Sequence, residues 1–283
     1  MNVVITGSRG LIGRYTVDHA RAALRDQAGA QIISVDQGGM GDWTANYRVA
    51  DLTDAGQTFT ALSGADAVIH LAAIKDHGLV GEPKLFLDNT AMTYHVLEAA
   101  RHLRIPRVVL ASSVQVSRTV RMLRDTRYRY LPLDEAHPVD PQNDYALSKQ
   151  VGEVMADLYA GVYGLSIVSL RFSAVTRRED MAGWPTPVAA PPHWALYAYV
   201  DVRDAARCAW LAATVPLAPA THHVAFVVAR DTMTATPSAE IARGFFPDAE
   251  LRAPLDGHAS LISGENARRL LGFEATHSCR DPV

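Results

Sequence analysis

The sequence predicts an α/β protein built on a doubly wound parallel sheet with a small C-terminal lobe. Three observations carry the prediction. Short, nearly continuous β-branched runs alternate with longer stretches of helical periodicity. Glycines at Gly7, Gly10 and Gly13 follow the first such run and open the first helix. The residues able to do chemistry fall at the carboxyl ends of the runs. Strands apolar on both faces and separated by helices belong to a parallel sheet covered on both sides. In such sheets the ligand lies beyond the carboxyl ends of the strands.

Strands are expected at Val3–Thr6, Ile32–Asp36, Ala67–Ala73, Arg107–Ser113 and Ser166–Phe172, with Asp51 and Leu52 ending a further one between the second and third of these. Helical stretches run over Leu11–Gln27, Leu85–Leu103 and Tyr145–Tyr163. Beyond about residue 174 the pattern loosens at Pro185, Pro187, Pro191 and Pro192. A helix is then expected near Asp204, a strand over His223–Ala229, and short helices over Ser238–Arg243 and Glu265–Leu271. This divides the chain into a cofactor-binding domain over 1–174, carrying the catalytic residues, and a substrate lobe over 175–283, partly woven back into it.

With 283 residues, 48% of them hydrophobic and 20% charged, the chain can bury a large core. A net charge of −3 and a pI near 6.4 argue against nucleic acid or an anionic membrane as the main partner. Arginine outnumbers lysine by 24 to 3, a compositional bias. Cys208 and Cys279 lie far apart and match no zinc or redox spacing, so reduced thiols are expected, and the histidines, His222 and His223 included, show no metal-ligand arrangement. Met1 leads directly into an apolar run, without room for a signal peptide, and no stretch approaches the length of a membrane span. A cytoplasmic location is the expectation.

The three glycines serve different ends. One permits the tight turn, one lets a pyrophosphate approach the backbone, and one lets the helix pack closely on the strand. The helix N-terminus then favours phosphate charge. Asp36, 23 residues beyond Gly13, ends the second strand, where a carboxylate accepts hydrogen bonds from a ribose diol and repels a 2'-phosphate. That favours NAD over NADP, although Arg9 in the same loop is able to support a phosphate. Asp51 and Leu52 are candidates for the adenine edge. Leu71, Ala72 and Ala73 permit close approach to the cofactor, and His70 before them reads as a core histidine.

Tyr145 and Lys149 are four residues apart in a helical stretch and so share one face. An ordinary surface pair has the same spacing, but its coincidence with a dinucleotide loop points to hydride transfer at a hydroxyl-bearing carbon. A free phenol titrates near ~10, too high for a base at neutral pH. The neighbouring ammonium is expected to pull that value down.

These motifs, in order, resemble those of the extended short-chain dehydrogenase/reductase family, the NAD-dependent epimerase/dehydratase group. The matches are Thr6-Gly7-Ser8-Arg9-Gly10-Leu11-Ile12-Gly13, Asp51-Leu52, His70 to Ala73, Asn89, Ala111-Ser112-Ser113, Leu131 to Glu135, Tyr145 to Lys149, Leu170-Arg171-Phe172, Tyr199-Val200-Asp201 and Leu271-Gly272-Phe273. The resemblance implies a Rossmann fold, a nicotinamide cofactor, a catalytic set of Ser113, Tyr145 and Lys149, and a homodimer paired through helices at about 86–104 and 145–163. It also implies that Lys149 holds the nicotinamide ribose and that Asn89 arranges cofactor or substrate, though a structural helix asparagine reads as well.

Departures narrow the chemistry. Sugar-nucleotide dehydratases carry an acidic pair after the Ser/Thr, where this chain has Val114 and Gln115. Sugar-nucleotide epimerases usually carry an asparagine where this chain has Ala174. The compact lobe and Arg171-Phe172-Ser173 are more similar to uronate dehydrogenases, except that their asparagine after the serine is Val114 here. The expectation is an oxidoreductase acting on a sugar, sugar acid or polyol, with an epimerase as the alternative and a non-catalytic cofactor sensor third. Ser113, Gln115 and Arg177 are the candidate substrate contacts. Arg118, Arg121, Arg124, Arg127 and Arg129 fall in a loop above the site, most simply read as a solvated face.

Overall fold

A computed structural model describes residues 1–25, 27–38, 46–75, 77–117, 128–187 and 194–282. Its first half runs β1 (Asn2–Thr6), α1 (Leu11–Ala23), β2 (Gln31–Asp36), β3 (Tyr47–Val49), α2 (Ala55–Leu62), β4 (Ala67–His70), α3 (His77–Val80), α4 (Glu82–His102) and β5 (Arg107–Ser113). It continues through β6 (Tyr130–Leu131), α5 (Asp144–Tyr163), β7 (Ser166–Phe172), β8 (Ala174–Thr176), β9 (Tyr199–Asp201) and α6 (Val202–Thr214). The last elements are β10 (His222–Val227), α7 (Ser238–Phe245), β11 (Glu250–Leu251) and α8 (Glu265–Leu271).

Seven parallel strands form the main sheet in the order β10-β7-β5-β4-β1-β2-β3. Winding proceeds outward from β1 through β2 and β3, then restarts at β4 and runs the other way. The order therefore reverses between β1 and β4, which opens a crevice at their carboxyl ends. Alternation along β1 sends Val3 and Ile5 to one face, against α1, α6 and α8, and Val4 to the other, against α2, α4 and α5. A third apolar cluster, with Leu131, Tyr199, Ile241 and Ile262, fills the lobe.

Helix α1 buries Gly13, Thr16, Val17 and Ala20, the one-sided stripe of an amphipathic helix on a sheet. Helix α5 starts where the Asn143 side chain accepts the Ala146 N–H at 2.7 Å and ends at Gly164, whose φ of 79° is the left-handed C-terminal cap.

Several boundaries differ from expectation. Helix α1 stops at Ala23, short of Gln27, because the chain turns through Gln27 and Gly29 into β2. Strand β4 ends at His70, since past the Leu71 N–H bond to the Thr6 carbonyl the chain leaves the sheet. Strand β3 ends at Val49, so Asp51 and Leu52 sit in the turn into α2. Beyond residue 174 the chain packs back onto the main sheet. Strand β10 extends the main sheet beside β7, and α6 and α8 pack on the face that holds α1.

The segment beyond α8 is latched down. Asp204, 1% exposed on α6, accepts hydrogen bonds from Thr276 N, Thr276 Oγ1, His277 N and Arg207 Nη2 at 2.8–3.0 Å. Asp231 similarly receives Tyr199, Ser278 and Arg280. Burial alone would raise the Asp204 carboxyl, but bonds from His277, Arg207 and Thr276 outweigh it and hold the group below its ordinary value.

Candidate active site

The crevice between β1 and β4 holds a cavity of about 360 Å³, bordered by Gly7, Arg9 and Gly10 of the first turn, Asp36, Leu52 and Ala72. Gly7 has φ +64°, and a side-chain carbon there would stand 2.6 Å from the Ala72 nitrogen. One at Gly13 would stand 2.1 Å from the Gly7 carbonyl oxygen. Gly7 thus serves the turn, Gly13 serves helix packing, and Gly10, with only the Gly7 carbonyl oxygen near at 3.2 Å, leaves room for a phosphate at the start of α1, beside Leu11 and Ile12. Asp36 accepts the Arg9 N–H and the Gln37 N–H, each at 2.9 Å, which aims its carboxylate across the mouth of the loop. The Arg9 guanidinium bonds the Gly38 carbonyl. A cradle without side chains, a helix N-terminus and a carboxylate opposite fit a pyrophosphate with its adenosine ribose.

Leu71, Ala72 and Ala73 all border this cavity. Asp51 does not border it: its carboxylate takes Thr53 N and Oγ1 at 2.9 and 2.7 Å, and these bonds hold it below the usual carboxylate range. Asn89 also faces elsewhere. Its amide brackets Ile74, accepting from Ile74 N and donating to Ile74 O, each at 2.8 Å. It clamps the loop that forms one wall of the cavity.

Beyond that wall, the end of β5 meets the start of α5. Ser113 Oγ accepts the Gln115 N–H at 3.2 Å, and the Ser113 hydroxyl is near enough to the Tyr145 phenol to favour its ionised form. Lys149 Nζ lies 5.5 Å from the centre of the Tyr145 ring. The three residues are brought together as the sequence implied, but the electrostatics differ from expectation. Burial pushes the Tyr145 phenol up to about 12, with the nearby Ser113 hydroxyl acting against it, and burial lowers Lys149 to about 8. Desolvation sets the direction at both groups.

Glu153, four residues beyond Lys149 on the same face of α5, does not stand out in the sequence. It receives Arg171 through two bonds, at 2.9 and 2.7 Å, and Ser112 at 2.6 Å, all buried. This pair ties α5 to β5 and β7 directly beneath the site. Its one signal is that it makes a third polar residue, after Tyr145 and Lys149, at helical spacing on a buried face. His70 is buried as expected; Thr6 Oγ1 lies 2.8 Å from its Nδ1, its Nε2 has no partner among the described residues, and burial lowers it to about 3.

Arg177 is exposed and doubly bonded to Asp180 at 2.8 and 3.0 Å, while Arg178 bonds backbone carbonyls of Ser278, Cys279 and Asp281. Neither guanidinium is presented free to a substrate. Of the arginines between Ser113 and Tyr145, Arg118, Arg121, Arg124 and Arg127 lie outside the described residues, and Arg129 is exposed. Ser169, His222 and Asp157 are linked at 2.8 and 2.7 Å in the connectivity of a hydrolytic triad, but Ser169 is fully buried and the link serves to join β7, β10 and α5. Among the described residues no cluster of three metal-ligating side chains occurs, and no helix is long and apolar enough to cross a membrane.

A profile of the NAD dependent epimerase/dehydratase family matches residues 3–181. The chain is 29% identical over 184 residues to an L-arabinose 1-dehydrogenase (NAD(P)(+)) of Haloferax volcanii, covering 63% of this chain and 69% of that protein. It is 31% identical over 144 residues to a uronate dehydrogenase of Pseudomonas syringae pv. tomato, covering 48% of each, so the chain spans about half of that relative's length. A short-chain dehydrogenase/reductase superfamily protein of Agrobacterium tumefaciens, solved with bound NAD, superposes with a TM-score of 0.74 at 25% identity over 99% of this chain and 94% of that one. The chain belongs to the NAD dependent epimerase/dehydratase family and is an NAD-dependent enzyme of the short-chain dehydrogenase/reductase type.

Proposed function

We propose that this protein oxidises a secondary alcohol on a free sugar, sugar acid or related polyol. The observation that carries the reading is the juxtaposition of Ser113 and Tyr145, with Lys149 over the phenol ring, at strand and helix ends next to the dinucleotide crevice. When bound, NAD supplies the hydride acceptor. Ser113 holds the substrate oxygen, Tyr145 takes the hydroxyl proton as the carbonyl forms, and Lys149 supplies positive charge to the phenolate and contacts the cofactor ribose. Gln115 faces the substrate. Asp36 selects NAD by accepting from the ribose diol.

Dehydrogenation is favoured over epimerisation by the compact lobe and by Ala174, which begins the short strand β8 without a polar side chain to grip a nucleotide. The neighbours of Ser113 disfavour dehydration: Val114 is fully buried in the lobe core and Gln115 is neutral. The test supplies free aldoses, sugar acids and sugar nucleotides with excess NAD or NADP and follows NADH together with product configuration. NADH stoichiometric with an oxidised free sugar, and NAD preferred, are expected. Inverted product without net NADH would replace this reading with an epimerase.

The protein is further proposed to work as a homodimer. Seven of the large exposed apolar side chains fall on α4 and α5: Leu87, Tyr94, Leu147, Val154, Leu158, Val162 and Tyr163. Spacings of four and seven place all of them but Tyr163 in stripes, which a second copy would cover in an isologous four-helix bundle.

A further inference from the structure

Hydrogen-bond polarity can be followed from the backbone of α5 to the side chain of Gln115, two residues beyond Ser113. The N–H of Ala146 can only donate, so the atom of Asn143 that meets it at 2.7 Å is its oxygen. The Asn143 amide nitrogen is then the end that faces Gln115, and it donates to Gln115 Oε1 at 3.3 Å. With its oxygen turned to Asn143, Gln115 points away its Nε2 end, carrying two N–H groups that donate to no described residue. Its backbone N–H is already used by Ser113. The preceding Val114 is fully buried, which turns the half-buried Gln115 out of the lobe core at this point of the short 3₁₀ turn Val114–Ser117.

We propose that Asn143 is a positioning residue which fixes the amide of Gln115 as a donor toward the substrate, so that the site selects an acceptor oxygen near the carbon that is oxidised. The inference rests on the proposed function for the identity of the substrate, but the polarity of Gln115 is a property of the protein alone. A hydroxyl, carbonyl or carboxylate oxygen satisfies such a donor. A substrate with an apolar carbon or an ammonium there leaves it unpaired or opposed, and an unpaired buried polar group is the strongest source of rejection.

The decisive variant is Asn143→Asp. Its carboxylate still caps α5, but now offers Gln115 an acceptor, so that the Gln115 amide turns over and presents its oxygen to the substrate. In the native protein with NAD, the Gln115 side-chain NH2 signals in 15N-edited NMR are expected to exchange rapidly with water; in the variant they become protected. With a neutral aldose, N143D and Gln115→Ala each raise KM about tenfold, with unchanged NAD affinity and melting temperature. N143D made in the Q115A background adds no further effect.

A Gln115 NH2 group already protected in the native protein would overturn the proposal. So would an N143D penalty that persists undiminished in the Q115A background, which would assign it to charge near Tyr145. If no free sugar is oxidised and nucleotide sugars are epimerised instead, the proposed function fails, and the same variants are read on that substrate. If nothing turns over, the NMR arm decides the polarity on its own.

Discussion

At the scale of single residues, the site pairs a phenol pushed up to about 12 with an ammonium lowered to about 8, both by burial. The phenolate is the form that accepts a proton, so oxidation is expected to rise with pH up to a plateau. Tyr145→Phe should lower turnover about a hundredfold or more while leaving the fold and NAD binding intact. Lys149→Met should weaken NAD binding and move the rising limb of the pH profile to higher pH, since it removes the positive charge nearest the phenolate. Steady-state kinetics across pH, with NAD binding measured by fluorescence, checks both. Near-native turnover in the phenylalanine variant would remove Tyr145 from the mechanism.

Much of this site is legible in the sequence because its members sit at fixed offsets along single elements. Tyr145 and Lys149 are one helical turn apart, and the glycines mark one strand-to-helix junction. Residues whose role depends on a partner from another part of the chain are less readable. Arg177 has the chemistry of a carboxylate clamp, yet Asp180, three residues on, occupies it. Asn89 has the chemistry to arrange a cofactor, but the loop at Ile74 takes both ends of its amide. Glu153 needs Arg171 and Ser112 from neighbouring strands to become visible.

At the scale of elements, the longer strands of the main sheet show as apolar runs in the sequence, whereas α2, β6, β8, β9 and β11 do not. Strands of two or three residues are too short to show alternation. Helix α2 has eight residues, and its Asp54 cap, which accepts Gln57 N at 2.8 Å, stands directly after a run assigned to a strand end. The long helices α4 and α5 carry the next prediction. Leu158→Glu, which alters a side chain 51% exposed in the monomer, should leave folding within about 0.5 kcal/mol. It should also turn a dimer into a monomer by light scattering at micromolar concentration. A native protein that is already monomeric would end the proposal of a four-helix interface.

At the scale of the whole molecule, stability depends on the latch between α6 and the segment after α8. Asp204→Ala would leave the donors of Thr276, His277 and Arg207 without their acceptor and should cost about 3–5 kcal/mol, as expected when one partner of a buried charge network is removed. The folded carboxyl lies below its unfolded value near ~3.9. Its contribution is therefore fully present above that pH and is lost as pH falls through the lower folded value. Denaturation curves of native protein and variant should differ most at neutral pH and converge in acid. A constant difference down to pH 2 would show that the carboxylate charge is not what holds the latch.

The latch also bears on the order in which the molecule is made. Asp204 is translated 72 residues before Thr276, and Asp231 47 residues before Ser278. Until residues 276–280 are made, Asp204 lacks the donors of Thr276 and His277 and Asp231 those of Ser278 and Arg280, and the surfaces they close stay open to chaperones and proteases. The first sheet strands and their helices can assemble long before that moment. A ribosome paused upstream of residue 276 would hold the first sheet strands and their helices beside a lobe without its latch, so a pause there would prolong the exposure of those surfaces.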